Sequence, residues 1–295
     1  MTDPGSGPVR VGLVGAGPWA GMFHAPMLAA GPATTLSWVY SRRLEAAAAL
    51  ADRHGARATD DFDTLLDNCD AVSFAVPPDV QPGLAVRAAR AGKPLLLEKP
   101  IGLTLESARR LVDAIDDAGV PTQLMLTKRF SPGVRNFLAE AADFPVLGAR
   151  AAFVSEAFLP GSVFATPWRL RHGALLDVGP HVLDVLDAAA GPIESVTAAG
   201  DPLRWMALTT RHQGGAVGQV SISSVVPGNF WECALFGAEG TLVTPPRDES
   251  ERPVVMRAIT DEFAEVVRTG VPHELDVHRG LYLQRLIQAA GGTGT

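Results

Sequence analysis

The chain has 295 residues and a net charge of −7 at pH 7; 47% of its residues are hydrophobic and 19% are charged. This composition is typical of a folded globular protein and excludes extended disorder. The length is sufficient for two domains, because single hydrophobic cores rarely grow beyond about 250 residues. The acidic balance, with no basic stripe in any segment, excludes a nucleic acid or an anionic membrane as the partner.

Two cysteines, Cys69 and Cys233, are too few and too far apart in sequence for a disulfide framework or a set of metal ligands. We interpret them as buried apolar thiols in a reducing compartment, and we predict no metal site. The N-terminal segment MTDPGSGP lacks the basic and apolar regions of a secretion signal, and no run of about 18 apolar residues occurs. These features predict a cytoplasmic protein.

The first predicted element is a buried strand over residues 9–14, where apolar and β-branched side chains dominate. The sequence GAGPWA follows and matches the pattern G-x-G-x-x-A, in which the glycines allow a tight turn and the close approach of a pyrophosphate. The next helix presents its N-terminus to the anion. The pattern predicts a dinucleotide site, and a plain strand–turn–helix connection is the alternative. The predicted cofactor contacts in this turn are Gly15, Gly17, Pro18, Trp19 and Ala20.

The second predicted strand covers residues 35–40, and an alanine-rich helix follows over residues 43–54. A carboxylate at the tip of this strand binds the ribose 2′-hydroxyl of NAD, whereas an arginine accommodates the 2′-phosphate of NADP. The tip contains Ser41, Arg42 and Arg43 and no acidic residue. This pattern favours NADP(H) over NAD(H). The alternative is that both arginines are solvated charges at the start of a helix.

Two further predicted strands, over residues 71–76 and 95–97, end in a double proline and in the sequence Glu-Lys-Pro. Because α/β sheets bind ligands outside the carboxyl ends of their strands, both ends are expected to border the cofactor. The predicted contacts there are Val76, Pro77, Pro78, Gln81, Glu98 and Lys99. A helix over residues 104–118, with Thr104 as its N-cap, and a strand over residues 120–126 complete the domain.

Beyond residue 128 the pattern changes to a helix near residues 134–142 followed by separated, partly alternating apolar runs. These strand-like runs are residues 148–153, 195–199, 204–209, 217–225 and 230–236. Their spacing is typical of an antiparallel sheet with helices on one face. We therefore predict an α/β protein with a Rossmann dinucleotide-binding domain over residues 1–128. An α+β substrate-binding and oligomerisation domain is predicted over residues 129–295.

Four motifs occur in order along the chain: the glycine turn, Glu98-Lys99-Pro100, GALLDVGPHVLD at residues 173–184 and LFGAEGTL at residues 235–242. Together they resemble the glucose-fructose oxidoreductase/inositol dehydrogenase (Gfo/Idh/MocA) family. The resemblance implies an N-terminal Rossmann domain and a C-terminal domain with an open, mostly antiparallel sheet. It also implies an active site in the cleft between the domains, a small-molecule substrate, and a homodimer or homotetramer.

The resemblance also implies roles for individual residues. The lysine of the family's EKP motif corresponds to Lys99, and the family's D-x-x-x-H pair corresponds to Asp177 and His181. His181 suits the role of base for a substrate hydroxyl proton, and Lys99 suits stabilisation of the alkoxide. Asp177 and Asp184 are expected on the helix face of His181, where Asp177 orients the imidazole or binds a substrate hydroxyl. The alternatives are an N-cap, a packed core histidine and a surface lysine.

The sequence departs from the family pattern at two places. The family commonly has a histidine shortly after the proline turn, where this chain has Gln81, which implies an altered contact near the cofactor. The glycine run before the catalytic helix is reduced to His172-Gly173. Trp168 and Arg169 lie just upstream and are predicted to contact the substrate in the cleft. The alternative is a buried tryptophan beside a surface arginine.

The function expected from these features is an NADP(H)-dependent oxidoreductase. It transfers a hydride between the nicotinamide and the carbinol or carbonyl carbon of a sugar, polyol or similar small molecule. One alternative is a catalytically silent NADP(H)-binding sensor or regulator, against which Lys99, Asp177 and His181 argue. The other is an NAD-dependent glycoside hydrolase that recycles a tightly held NAD, against which Ser41 and Arg42 argue.

Overall fold

The computed structural model of the protein describes residues 7–246 and 248–291. The N-terminal segment in which no secretion signal was recognised lies largely outside these residues. The elements of the N-terminal part, in chain order, are β1 (Val9–Val14), a π-helix (Ala20–His24) continued by α1 (Ala25–Ala29), β2 (Thr34–Tyr40), α2 (Leu44–Asp52), β3 (Arg57–Thr59), α3 (Phe62–Asp67), β4 (Ala71–Phe74), α4 (Gln81–Arg90), β5 (Leu95–Leu97), α5 (Leu105–Ala118) and β6 (Thr122–Leu124).

These six strands form one parallel sheet in the order β3-β2-β1-β4-β5-β6. Every residue of β5 and all but one of β1 are buried, as expected for parallel strands that are covered on both faces. The strand order reverses between β1 and β4, because β2 and β3 lie on one side of β1 and β4 to β6 lie on the other. Such a reversal opens a crevice at the carboxyl ends of the strands, where α/β proteins bind ligands.

The helix after β5 begins and ends where the sequence predicts. Thr104 Oγ1 accepts the backbone N–H of Ser107 at 3.1 Å, and Ser107 Oγ accepts the backbone N–H of Thr104 at 3.2 Å. This reciprocal pair is a capping box at the start of α5. Gly119, with φ +63°, ends the helix in the left-handed conformation that favours glycine. Both predicted boundaries of this helix are confirmed because the signals that set them are local.

The elements of the C-terminal part, in chain order, are a 3₁₀ turn (Thr127–Phe130), α6 (Pro132–Ala141), β7 (Val146–Val154), α7 (Pro167–Asp177), α8 (Gly179–Ala190), β8 (Ile193–Asp201), β9 (Trp205–His212), β10 (Val217–Ser223), β11 (Phe230–Gly237), β12 (Gly240–Val243), a 3₁₀ turn (Glu249–Glu251), α9 (Arg252–Thr269) and α10 (Val277–Gly291). The strands form a second six-stranded sheet in the order β12-β11-β7-β10-β9-β8. Only β7 and β10 pair in parallel, and the other neighbours are antiparallel. The predicted fold class is confirmed.

One face of the second sheet is covered and the other is open. Helix α8 packs against β7, β10 and β11, and nearly all of its residues are buried. Strand β9 alternates strictly between exposed and buried residues, the pattern of a strand with one face on a core and one face in solvent. The sequence did not predict β3 or β12, because these two short strands lie at sheet edges and lack the buried apolar run that marks β5.

The chain divides into two compact units. Among the described residues, one unit contains residues 7–125 together with Pro253–Leu281, and the other contains Leu126–Arg252 together with residues 282–291. The first division lies close to the predicted domain boundary after residue 128. The prediction differs in placing every later residue in the second domain, whereas most of α9 belongs with the first unit.

Hydrogen bonds from β6 to the C-terminal segment explain why residues 253–281 belong to the first unit. The Gln123 side-chain amide donates to the carbonyl of Ile259 in α9 at 3.1 Å, and the N–H of Leu124 donates to the carbonyl of Leu275 at 2.6 Å. The sequence could not predict this assignment, because the amphipathic pattern of α9 shows that one face of the helix is buried but does not show against which sheet. No helix among the described residues has the length and apolar character needed to cross a membrane.

Candidate cofactor and catalytic sites

The glycine loop after β1 has the backbone geometry that a pyrophosphate site requires. Gly15 has φ +117°, and a Cβ built there would lie 2.4 Å from the carbonyl oxygen of Ala75, so only glycine fits. Its N–H donates to the carbonyl of Tyr40 at 2.9 Å, which ties the loop to the end of β2. Around Gly17 the space where a Cβ would stand is open for 4 Å. This opening and the small, fully buried Ala20 fit the close approach of a phosphate to backbone N–H groups.

The tip of β2 carries two exposed arginines, Arg42 and Arg43. Ser41 donates its backbone N–H to the carbonyl of Thr59 at 3.2 Å, and its hydroxyl oxygen accepts the N–H of Arg43 at 3.3 Å. Within residues 7–246 and 248–291, neither arginine is in an ion pair. The three residues predicted to contact a 2′-phosphate therefore lie together at one strand end, with two positive charges available to an anion.

Glu98 follows β5 at the same edge of the sheet and is held through both its backbone and its carboxylate. The side-chain amide of Gln81 donates to the carbonyl of Glu98 and accepts its N–H, each at 2.8 Å. Trp19 Nε1 and His24 Nε2 lie 2.5 and 2.8 Å from Glu98 Oε1. The side-chain amide of Gln81 thus holds the backbone at the end of β5. Its two hydrogen bonds require one donor and one acceptor, which a primary amide provides in a single planar group.

Lys99 comes next and is half-buried. Its backbone N–H donates to the carboxylate of the preceding glutamate at 3.1 Å. At the neighbouring end of β4, Val76 is half-buried, Pro77 is exposed and Pro78 is buried. The carbonyl of Pro77 accepts the N–H of Gln81 at 3.0 Å, which begins α4. The predicted contacts from β4 and β5 therefore share one sheet edge.

The predicted catalytic pair lies at the junction of α7 and α8. Asp177 is the last residue of α7, and His181 lies in the first turn of α8; both are buried. The two residues therefore lie on either side of a helix junction rather than on one uninterrupted helix, because Gly179 and Pro180 begin a new helix. The N-cap of α8 is Val178, which excludes the alternative in which Asp177 caps this helix.

The chain enters this junction through a sharp turn inside α7. Gly173 has φ +78° and ψ −175°, so the helix is interrupted there. The N–H of the next residue, Ala174, donates to the carbonyl of Pro202 at 2.8 Å. The glycine that remains from the family's longer run thus makes the turn that leads into Asp177.

Both carboxylates of this region face arginines. Arg169 Nε lies 3.1 Å from Asp177 Oδ2, and Arg129 Nη1 lies 3.4 Å from Asp184 Oδ1. Asp184 is 1% exposed, so its charge is taken out of water beside a counter-charge. The Arg169 guanidinium also lies 4.6 Å from the ring centroid of Trp168. Trp168 and Arg169 were predicted as substrate contacts. In the structure Arg169 packs on the ring of Trp168 and forms the ion pair with Asp177.

A lysine and two aromatic rings form a further cluster in the second unit. Lys128 Nζ lies 4.6 Å from the ring centroid of Trp231 and 5.2 Å from that of Phe153. The two rings meet edge to face at 5.6 Å, and the Phe153 centroid lies 6.2 Å from that of His181. The cluster arises because β7 and β11 pair Phe153 with Trp231.

Two family models match the chain. The oxidoreductase family model with an NAD-binding Rossmann fold, GFO_IDH_MocA, matches residues 9–125, and the GFO/IDH/MocA C-terminal domain model matches residues 146–243. The two matches together cover more than half of the chain. The chain belongs to the GFO/IDH/MocA family. The resemblance inferred from the four sequence motifs is thereby confirmed.

Curated relatives are similar over part of their length. Levoglucosan dehydrogenase of Pseudarthrobacter phenanthrenivorans is 29% identical over 210 residues, which cover 64% of this chain and 53% of the relative. UDP-N-acetylglucosamine 3-dehydrogenase of Acidithiobacillus ferrooxidans is 29% identical over 228 residues, covering 74% and 68%. The chain spans about half the length of the first relatives it matches. Among solved structures, GenD2 from gentamicin A biosynthesis in complex with NAD has a TM-score of 0.86 and 25% identity, covering 99% of this chain and 95% of that one.

Sequence reasoning missed several residues that the GFO/IDH/MocA fold brings to these sites. His24 and Ser73 meet through His24 Nδ1 and Ser73 Oγ at 2.9 Å, and both are fully buried. Lys128 and Arg129 lie on the 3₁₀ turn that begins the second unit. A histidine seven residues after the second glycine of the loop is a sequence signal that could have directed attention to His24. Nothing in the sequence around Lys128 indicates aromatic partners, because those partners come from distant strands.

Proposed function

We propose that this GFO/IDH/MocA protein is an NADP(H)-dependent oxidoreductase that interconverts the carbinol and carbonyl carbon of a sugar, polyol or similar small molecule. The observation that carries the proposal is the shared edge of the parallel sheet, where the open turn at Gly17 and the cation Lys99 follow strands of one sheet. Hydride transfer needs a bound dinucleotide and a positive group beside the reacting oxygen. No specific observation favours the sensor or the glycoside hydrolase.

Three residues have distinct roles in the proposed reaction: His181 transfers the proton, Lys99 stabilises charge and Asp177 orients the imidazole. When bound, the nicotinamide supplies the hydride acceptor for oxidation and the hydride donor for reduction. In oxidation, the imidazole of His181 accepts the hydroxyl proton, and the ammonium of Lys99 stabilises the negative charge that develops on the oxygen. Asp177 orients the imidazole, and its ion pair with Arg169 holds the carboxylate in place. In reduction, His181 returns the proton to the oxygen.

A sugar is the substrate class that we propose. The relatives named levoglucosan dehydrogenase and UDP-N-acetylglucosamine 3-dehydrogenase support it. In the second unit, the buried indole N–H of Trp231 has no hydrogen-bond partner among the described residues. A buried donor of this kind is costly unless a ligand or water oxygen accepts from it. A hydroxyl of a sugar bound beside Trp231 would be such an acceptor.

The proposed activity is tested by a screen of NADPH and NADH oxidation over a panel of keto-sugars, ketoses and aldoses. NADP⁺ and NAD⁺ reduction over the matching sugars and inositols tests the opposite direction. We expect turnover with at least one sugar. Nucleotide binding without turnover on any member of the panel would instead support the sensor, and release of aglycone from a glycoside without net cofactor reduction would support the hydrolase.

The cofactor preference is tested at Arg42. We expect NADPH to bind the wild-type protein at least about tenfold more tightly than NADH, and Arg42→Ala to remove most of that margin. The reason is that a guanidinium at the tip of β2 donates charge-assisted hydrogen bonds to the 2′-phosphate, which NADH lacks. Calorimetric titration of both nucleotides against both proteins provides the measurement.

Arg109→Ala is the matched control for this titration, because Arg109 is an exposed arginine on α5. Both nucleotide affinities should remain at the wild-type values in this variant. Equal or tighter binding of NADH to the wild-type protein would contradict the assignment of Ser41, Arg42 and Arg43 to a 2′-phosphate.

The open face of the second sheet is proposed as the interface of a homodimer. Trp205, Phe230 and Phe236 on this face are large apolar side chains that are 46%, 51% and 41% exposed, as is typical of surfaces that bind another protein. Ala207 is an exposed residue of β9, two residues after Trp205, and it pairs with Ser221 of β10. We expect Ala207→Arg to convert a dimer into a monomer in light-scattering chromatography, because it places a charge in the apolar interface. Ala142→Arg, at the exposed position directly after α6, should leave the dimer intact; a monomeric wild-type protein would refute the interface.

We also propose a cytoplasmic, reducing compartment. Cys69 and Cys233 are both free and buried. Burial raises the pKa of Cys69 to about 11 and that of Cys233 to about 12, so both remain as thiols at neutral pH. Two inert, unpaired thiols suit a protein that folds without disulfide formation.

A further inference from the structure

We propose that Glu98 is a positioning residue that links the glycine loop to Lys99, with Trp19 and His24 as the donors that fix its carboxylate. Oε1 accepts the indole N–H of Trp19 at 2.5 Å and lies 2.8 Å from His24 Nε2. Oε2 accepts the backbone N–H of Lys99 at 3.1 Å. The role of Lys99 in this inference rests on the proposed function, but the physical link between the loop and Lys99 does not.

The link is rigid because its carboxylate and its histidine are buried and hydrogen-bonded, while Trp19 is half-buried. His24 and Ser73 are 0% exposed, and Glu98 is 7% exposed. A carboxylate can only accept, so His24 Nε2 carries the hydrogen toward Glu98, and in neutral His24 the Nδ1 atom accepts from the Ser73 hydroxyl at 2.9 Å. Gln81 holds the backbone of Glu98 at both its N–H and its carbonyl. Satisfied buried networks of this kind hold one arrangement, since breaking any contact leaves a polar group without its partner.

The position of Trp19 gives the network a role beyond stability. Trp19 lies two residues after Gly17, in the first helical turn that follows the glycine loop, and its ring stacks on Phe23 at 4.7 Å. A ligand that orders this turn therefore also fixes the indole, and the indole fixes Glu98. Glu98 in turn fixes the backbone from which the Lys99 side chain extends. Nucleotide binding and the orientation of Lys99 are thus coupled through one carboxylate.

The link is tested by the reactivity of Lys99 toward acetic anhydride, read by mass spectrometry. The chain has three lysines, and Lys93 is an internal reference that is also half-buried, with its ammonium donating to the carbonyl of Cys69 at 2.9 Å. In Trp19→Phe, which keeps a stacked ring and removes the N–H, we expect the acetylation rate of Lys99 relative to Lys93 to rise about fivefold. An unchanged ratio in a folded variant would overturn the proposal.

Trp38→Phe is the matched control, since Trp38 lies on β2 of the same sheet and packs against Arg57. The acetylation ratio should remain at the wild-type value in this variant. If Trp19→Phe does not fold, Glu98→Gln provides the second test. It preserves the size of the side chain and replaces one acceptor oxygen by a donor, so the ratio should again rise. No change in that variant would equally refute the link.

A spectroscopic signature separates positioning from general stability. The emission of Trp19 is the difference between the wild-type and Trp19→Phe spectra, and we expect Glu98→Gln to shift it, because the indole N–H loses a charged acceptor. Unshifted emission would mean that the indole is not bound to Glu98 in solution. These readouts need no nucleotide, so they distinguish failure of the link from failure of the proposed function, which would appear as absent binding of both NADPH and NADH.

Discussion

Replacement of His181 by asparagine is expected to lower turnover on the best sugar substrate by about 10² to 10⁴-fold, the usual contribution of a positioned general base. Asparagine retains a polar side chain of similar size but cannot accept a proton at neutral pH. The dissociation constant of NADPH should stay unchanged, because the glycine loop and the tip of β2 are not altered. Steady-state kinetics combined with a binding titration provide the measurement.

His278→Asn is the control for this experiment, because His278 is an exposed histidine whose side chain is 56% accessible. Turnover of this variant should equal that of the wild-type protein. If His181→Asn retains full turnover, His181 is a packed core histidine, as its burial would also allow, and the proton must go to another group.

Gly173→Ala is expected to lower the free energy of unfolding by about 3 kcal/mol, which is large for a single methyl group. Gly173 has φ +78°, where a residue with a Cβ is strained. The added Cβ would also lie 2.4 Å from the carbonyl oxygen of Pro202, which a change of rotamer cannot relieve because the atom belongs to the backbone. Urea unfolding followed by circular dichroism provides the measurement. Turnover should fall as well, because this turn leads into Asp177.

Gly161→Ala is the control that separates the cost of the contact with Pro202 from the cost of the left-handed backbone conformation. Gly161 has φ +87°, and the space around its missing Cβ is open for 4 Å. The control therefore carries only the left-handed strain, which costs about 1 kcal/mol. Equal losses at the two positions would mean that the contact with Pro202 is relieved without cost, and the predicted fall in turnover of Gly173→Ala would be withdrawn.

The Rossmann fold and the backbone of its glycine turn were predictable because their signals are local. Gly15, Gly17 and Ala20 lie within six residues. In the G-x-G-x-x-A pattern the first position allows the tight turn, the second allows the pyrophosphate to approach the backbone, and the third lets the helix pack close to the strand. Lys99 was predicted because it comes two residues after an apolar strand, and all parallel strands of a sheet end at one edge. The same local reasoning predicted Thr104 as the N-cap of α5.

The partners of these residues were not predictable, because they come from distant segments. Glu98 is separated by 74 residues from His24 and by 79 from Trp19, and no periodic pattern connects positions so far apart. Gln81 was noted only as a departure from the family. Its actual role, a double hydrogen bond to the backbone of Glu98, depends on how α4 packs beside the end of β5.

The fold class and the dinucleotide turn could be predicted from the sequence, because backbone requirements and hydrophobic patterns act over a few residues. The family and the candidate catalytic groups came from the four motifs that resemble the Gfo/Idh/MocA family. The ion pairs of Asp177 with Arg169 and of Asp184 with Arg129 became evident in the folded structure, as did the unit that the tail helices join. The physical reason is that burial and electrostatic pairing depend on the distance in space between side chains, and chain folding sets that distance independently of their separation in sequence.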